Sequence, residues 1–255
     1  AAGAWLMCAF PVVFGFLVPA AALAVWTVEN AALALDPAFH QLLRNTLILA
    51  AGGAVITVLA AVLLAYALRL RGGTFVRVAA RMATLGYAVP GAVVAVGILL
   101  PCVRLDNWID ATARDLFGAG TGLLMSGTLV AVIYAYVVRF LAVAFNPIEA
   151  GLGRITHSMD GAARVLGASP AATLMRVHAP LMAGSVLTAT ILVLVDVIKE
   201  LPATLLMRPF NFDTLAVRTY QLAADERLAE AALPSMTIVA VGIVPVILLS
   251  LAVAR

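Results

Sequence analysis

Six apolar runs, approximately residues 5–26, 46–68, 82–103, 122–145, 181–207 and 233–253, constrain this chain more than any other feature. A run of about 20 apolar residues is long enough to cross ~30 Å of hydrocarbon as a helix, and a helix satisfies its own backbone hydrogen bonds there. A soluble all-α domain would need polar faces at helical spacing on most of these segments, and they lack them. Composition agrees. Hydrophobic residues make up 64% of the chain and charged residues 11%, with mean hydropathy +1.09, against about 25% charge in a soluble domain. The expected fold is all-α integral membrane, one domain of six transmembrane helices over residues 1–255.

The first run also admits a signal-peptide reading, because Ala20, Ala21 and Ala22 resemble a small-residue cleavage site. No basic segment precedes it, and the run has the length of a span. The chain starts without Met, which fits a fragment or the later part of a longer polypeptide. Cys8 and Cys102 are the two cysteines, expected at opposite membrane faces and so not joined to each other.

Arginines set the expected orientation. Arg69, Arg71, Arg77 and Arg81 follow the second run without an acid, Arg154, Arg164 and Arg176 outnumber Glu149 and Asp160 after the fourth, and the chain ends in Arg255. The alternate loops, 27–45, 104–121 and 208–232, are neutral to acidic. By the positive-inside rule both termini and the segment 146–180 are cytoplasmic. Net charge +3 therefore needs no nucleic-acid partner. In 208–232, Leu215, Val217, Tyr220, Leu222 and Ala223 suit a short amphipathic helix on the outer surface.

Segment 146–180 is the longest polar stretch and expected to meet something outside the lipid. Asn146 and Pro147 read as a helix cap and first position. Ile148, Leu152, Ile155, Met159, Ala162 and Leu166 then form one apolar stripe. Gly167 suits a left-handed helix end. Ser169 and Pro170 start a second short helix, which runs to about His178 until Pro180 stops it. Two readings fit: an interfacial helix resting on lipid headgroups, or a docking element. The tight turn and the small residues Ala162, Ala163, Gly167 and Ala168 favour docking, because they let another backbone come close.

The segment resembles the EAA loop of binding-protein-dependent ABC importer permeases, E-A-A, three residues, G, nine residues, I-x-L-P. Asp160, Gly161, Ala162 and Ala163 correspond to its start, with Asp160 for Glu and Gly161 for the first Ala; Gly167 follows Ala163 after three residues; Val177, His178, Ala179 and Pro180 follow after nine, with Ala179 for Leu. Residues 168–181 and 196–235 resemble the ferric-iron (Fbp/Sfu-type) branch, and this chain is similar to the second half of its two-half members. The resemblance implies a MetI-like ABC type I importer transmembrane domain. It implies that Asp160, Gly161, Ala162, Ala163, Leu166, Gly167, Ala168, Ser169 and Pro180 couple to a cytoplasmic ABC ATPase dimer, alongside a periplasmic substrate-binding protein, a second permease half and membrane lipid. Iron is the implied cargo; thiamine, polyamine and phosphonate permeases share the architecture.

Asp196, Lys199 and Glu200 fall inside the fifth run, with Pro202 just after. Intramembrane charge costs about 2.5–3.5 kcal/mol on insertion scales and should face protein or water. At helical spacing the three share one face, and either line a translocation path near its periplasmic gate or form a packing ion pair. Pro202 should kink or end the helix. Arg139 is expected to snorkel to the headgroups, Pro90 and Gly91 to interrupt the third span as a hinge or kink, and Gly52 and Gly53 to mark close helix contact.

No G-x-x-x-x-G-K-[ST], H-E-x-x-H, paired CxxC or G-x-S-x-G occurs. His40, His157 and His178 lie in separate loops, so no metal site or other cofactor is expected, and iron ligands would belong mainly to a delivering protein. The chain reads as a transport subunit, not an enzyme, with ATP hydrolysis left to a partner. The competing class is an ion-coupled transporter using Asp196, Lys199 and Glu200 as a relay.

Overall fold

The computed structural model describes residues 2–70 and 72–253, with the backbone alone for 2–4, 6, 248, 249, 252 and 253. Arg71 and Arg255 therefore lie outside the described residues. Every regular element among them is helical. Five helical stretches are long and apolar enough to cross a membrane: Met7–Glu29, Pro37–Leu70, Gly91–Phe117, Leu129–Gly153 and Leu228–Ile247. A sixth crossing is a helix pair, Pro170–Leu181 and Ala183–Ile198, bent by 78°.

The chain packs as two compact units. Residues 1–48 with 211–244 make the first. It contains α1 (Ala2–Val12), a π turn (Val13–Leu17) and α2 (Val18–Glu29). It also takes in the start of α3 (Pro37–Leu70), α12 (Leu215–Ala224) and most of α13 (Leu228–Val253). The expected helix in 208–232 is α12. Thr214 caps it by accepting from the Val217 N–H, and Thr46 accepts the Leu215 N–H at 2.9 Å. Its apolar residues Leu215, Val217 and Leu222 are buried in protein.

Residues 49–210 with 245–255 make the second unit, built around α6 (Leu129–Gly153). Ala131, Val132, Ala135, Tyr136, Ala144 and Ile148 are fully buried along it. Gly53 lets the rest of α3 approach: a Cβ there would stand 3.0 Å from Tyr136 and 3.5 Å from Val197 of α10 (Ala183–Ile198). The close contact expected at Gly52 and Gly53 is thus present.

Where helices start and stop differs from the sequence reading. The third span does not kink at Pro90; it begins there. After α4 (Thr74–Ala83) the chain forms a 3-10 turn (Thr84–Ala88), and α5 runs Gly91–Phe117, so most of 104–121 is helix. Two glycines explain this path. A Cβ on Gly86 would overlap the Val138 carbonyl oxygen, and one on Gly91 would overlap the Arg139 guanidinium. Non-helical backbone at such depth is tolerated when buried against protein. Beyond Phe117, Gly118 ends α5 at φ 71°, and buried Asp106 accepts from the N–H groups of Met125 and Ser126.

The fourth span continues through Asn146 and Pro147 instead of restarting there. A proline inside a helix forfeits one backbone bond, and the helix ends six residues later, after the weak pair Gly151 and Gly153. The fifth span is shorter than expected. It stops at Ile198 with Lys199 as its cap, and Pro202 opens the short helix α11 (Pro202–Met207). Both cysteines are free; Cys8 is exposed and Cys102 buried.

The Gly86 contact is with backbone, which cannot rotate away. Gly86→Ala should therefore lower the thermal midpoint of the purified protein, at a cost of about 1–3 kcal/mol. Gly97→Ala, with open space around its Cβ, should leave the midpoint unchanged or raise it.

Candidate functional site

Segment 146–180 folds as an elbow of short helices: α7 (His157–Val165), α8 (Pro170–Thr173), a π turn (Leu174–His178) and α9 (Ala179–Leu181). The single stripe expected from Ile148 to Leu166 is divided by the break at 154–156. Ile148, Leu152 and Ile155 are buried, whereas Met159 and Leu166 are 44% and 86% exposed. A stripe holds one face only while the helix is continuous, and Thr156 begins a new one.

Gly167 ends α7 as expected, at φ 78°. The Ala168 N–H reaches the Ala163 carbonyl and the Gly167 N–H that of Arg164, both at 2.9 Å, the paired bonds of a glycine-terminated helix. Ser169 caps α8 by accepting from Ala172. Pro180 does not stop the second helix. The π turn places the Ala179 N–H on the Leu174 carbonyl and carries the helix through the proline to Leu181, after which the chain turns at Met182.

Asp160 is the hub of this elbow. Its Oδ2 accepts from Arg69 Nε at 2.9 Å, and its Oδ1 lies 2.6 Å from Nε2 of fully buried His178. His157 Nδ1 stands 3.5 Å away. With hydrogen on Nε2, His178 donates to Asp160 and keeps a bare Nδ1, which has no partner. Arg69 uses its other nitrogens on the end of α6, donating to the Leu152 carbonyl at 2.7 Å and the Ile155 carbonyl at 2.9 Å. Those carbonyls lack helical partners, and a cation at a helix C-terminus is favourable. Tyr66, on the same face of α3, donates to the Pro170 carbonyl at 2.7 Å and packs edge-on against His178. A cleft of about 130 Å³ lies among Tyr66, Arg69, His157, Asp160, Arg164 and His178.

Burial pushes the Asp160 carboxyl up, but the hydrogen bonds from Arg69 and His178 outweigh it and hold the group below the ordinary carboxylate range. The register of the loop motif shifts by one residue. Counted back from Gly167 across Arg164, Val165 and Leu166, A-A falls on Ala162 and Ala163 and the E position on Gly161, not on Asp160. About 100° separates adjacent helical residues. A Cβ at Gly161 would meet open space, whereas Asp160 faces the protein. Ala163 is buried and Ala162 exposed, and the outward side of α7 ends in exposed Val165 and Leu166.

The charges of the fifth span do not share one face. The helix ends at Ile198, so Lys199 turns back to Asp196 at 3.0 Å and remains 62% exposed, while Glu200 is buried. Glu200 accepts the Ala203 N–H at the start of α11 and pairs with Arg139 Nε at 3.2 Å. Arg139 therefore turns inward instead of snorkelling: Glu200 supplies a carboxylate, and the missing side chain of Gly91 supplies room. Arg69 and Arg139 were legible only as loop and interfacial charges, because their partners lie far along the chain. Among the described residues no three His, Cys, Asp or Glu side chains are grouped to hold a metal ion.

The fold and this elbow define a helical membrane transport component. The chain belongs to the binding-protein-dependent transport system inner membrane component family, whose profile matches residues 53–255. It is 26% identical over 236 residues to the Fe(3+)-transport system permease protein FbpB 2 of Haemophilus influenzae, covering 91% of this chain and 43% of that one. It is 30% identical over 163 residues to the putative 2-aminoethylphosphonate transport system permease protein PhnV of Salmonella typhimurium, covering 58% and 61%. The chain thus spans about half the length of the curated relatives it matches. A bacterial alginate ABC transporter, crystallised with an alginate pentasaccharide-bound periplasmic protein, shares the fold at TM-score 0.75 and 13% identity, covering 97% of this chain and 91% of that one.

Two outcomes test this geometry. Removing one partner of a buried pair strands a charge at a cost of about 3–5 kcal/mol. Arg139→Gln should therefore lower the thermal midpoint sharply, and Arg139→Gln with Glu200→Gln by less than the sum. Because the folded Asp160 value is depressed, its stabilisation is fully present above about pH 4 and is lost as pH falls through the lower folded value. Hydrogen exchange of the α7 amides, corrected for intrinsic rate, should accelerate only below that point.

Proposed function

We propose that residues 1–255 act as one permease domain of an ATP-driven importer, with both termini and the loop 146–180 in the cytoplasm. A cytoplasmic ATPase dimer grips the loop, a periplasmic binding protein delivers the cargo, and a second permease half completes the path. One observation carries this reading: Val165 and Leu166, 89% and 86% exposed, crown a helix fastened to two membrane spans. Apolar side chains so exposed outside the lipid, on a rigid and not a floppy mount, suit insertion into a partner's groove. Ala162, Gly167 and Ala168 allow that partner close to the backbone, while Ser169 and Pro180 shape the elbow. Asp160, Gly161 and Ala163 belong to the same coupling device.

Ferric iron is the proposed cargo, supported by the likeness to FbpB 2 over 91% of this chain. The PhnV likeness, at higher identity over a shorter stretch, supports 2-aminoethylphosphonate as the second reading. Within the path, exposed Lys199 with Asp196 is the polar lining, and Pro202 begins the short helix beside it. Buried Glu200 holds helices together from behind.

Purification of the complex from native membranes should bring down a P-loop ATPase. Leu166→Asp should lose that ATPase and ATP-dependent uptake while still inserting into the membrane. Competition between ferric iron and 2-aminoethylphosphonate, each with its binding protein, would separate the cargoes. Uptake that persists without an ATPase and follows a proton gradient would overturn the importer reading.

A further inference from the structure

The acid of the loop motif faces the wrong way to meet a partner. Asp160 lies one residue ahead of the position that the E-A-A spacing marks, and its carboxylate is used up inside the elbow. The residue at the marked position, Gly161, has no side chain to offer. What α7 presents outward is apolar: Val165 and Leu166, with Met175 of the π turn 71% exposed.

We propose that Asp160 is a positioning residue which, with Arg69 and His178, clasps the loop to two separate spans, so that a pull on the loop moves both. The proposal rests on the coupling reading above and assigns a task within it. Arg69 belongs to α3, and its side chain is 7% exposed. His178 belongs to the elbow that turns directly into α10, and is 1% exposed. Asp160 sits between them on α7 and binds both through different oxygens. Arg69 also holds the carbonyls of Leu152 and Ile155, so the same cation secures the hinge at 154–156 from which α7 departs. Tyr66 adds a second tie from α3 to the Pro170 carbonyl at the start of α8. Without the clasp, α7 would hang from the 154–156 hinge and the Gly167 turn, because a helix of nine residues does not hold itself together in water. The partner could still bind the apolar crest, but its motion would be spent on the loop instead of the spans.

The test compares Asp160→Ala, Arg69→Gln and Leu166→Asp in the full-length protein in lipid nanodiscs, with and without its ATPase. Asp160→Ala and Arg69→Gln should raise hydrogen exchange over 157–167 at least about tenfold in the ATPase-free protein, the scale of one lost charge-assisted hydrogen bond. Both should retain the ATPase and move several-fold less substrate per ATP hydrolysed. Leu166→Asp should leave exchange unchanged and release the ATPase. Asp160→Glu keeps the charge but drives an extra methylene against buried His178, and should fall between wild type and Asp160→Ala. The proposal is overturned if Asp160→Ala leaves exchange over 157–167 unaltered, or if it sheds the ATPase as Leu166→Asp does. A wild-type protein that binds no ATPase would sink the coupling reading, while the exchange measurement would still decide whether the clasp exists.

Discussion

Hydrocarbon offers no hydrogen bonds, so a span can be interrupted only where protein covers the exposed peptide groups. In the second unit that cover is α6. The 3-10 turn before α5 lies on its Val138 carbonyl, and the start of α5 and the break after α10 meet at its Arg139. An unbroken helix thus serves as the wall against which discontinuous ones are set. Tyr136, one turn away, closes the same seam through its hydroxyl contact with Thr204 of α11 at 2.5 Å. Discontinuous helices meeting around charged groups deep in a membrane protein are a common way to build a transport path.

Arginine does two jobs here that a count of positive charges cannot separate. Arg69 contributes to the topological bias of its loop, yet its side chain is nearly buried and every nitrogen has a partner in the elbow. Arg139 lies well within a span and is held by a single carboxylate beneath the α5 start. In both cases the planar, forked cation reaches groups on elements distant in sequence, a geometry that lysine's single ammonium does not reproduce.

Much of the architecture was readable from residues alone. Long apolar runs fixed the number of crossings, Gly167 and Ser169 fixed two helix ends, and α12 followed from its spaced apolar residues. Errors concentrated where a local signal competed with a distant partner. Asn146 with Pro147 looked like a helix start, but the packed face of α6 around Ile148 and Leu152 outweighs one lost backbone bond. Pro90 looked like a kink, but Gly86 and Gly91 press the preceding turn into α6, so no helix precedes it to be bent. Asp196, Lys199 and Glu200 looked like one face because a continuous helix was assumed through Lys199. The clasp at Asp160 was invisible: its partners stand 91 and 18 residues away, and no spacing rule joins them.

The π turn at 174–178 has a geometric corollary. It holds one residue more than regular winding would use, which sets the angular phase at which His178 emerges toward α7. Deleting any residue of that turn would let it relax to ordinary winding and swing everything after it by about 100°, carrying the imidazole out of its seat. The interval between the loop glycine and the final proline is therefore a fixed gear ratio rather than a tolerance, and the elbow accepts changes of letter there far more readily than changes of length.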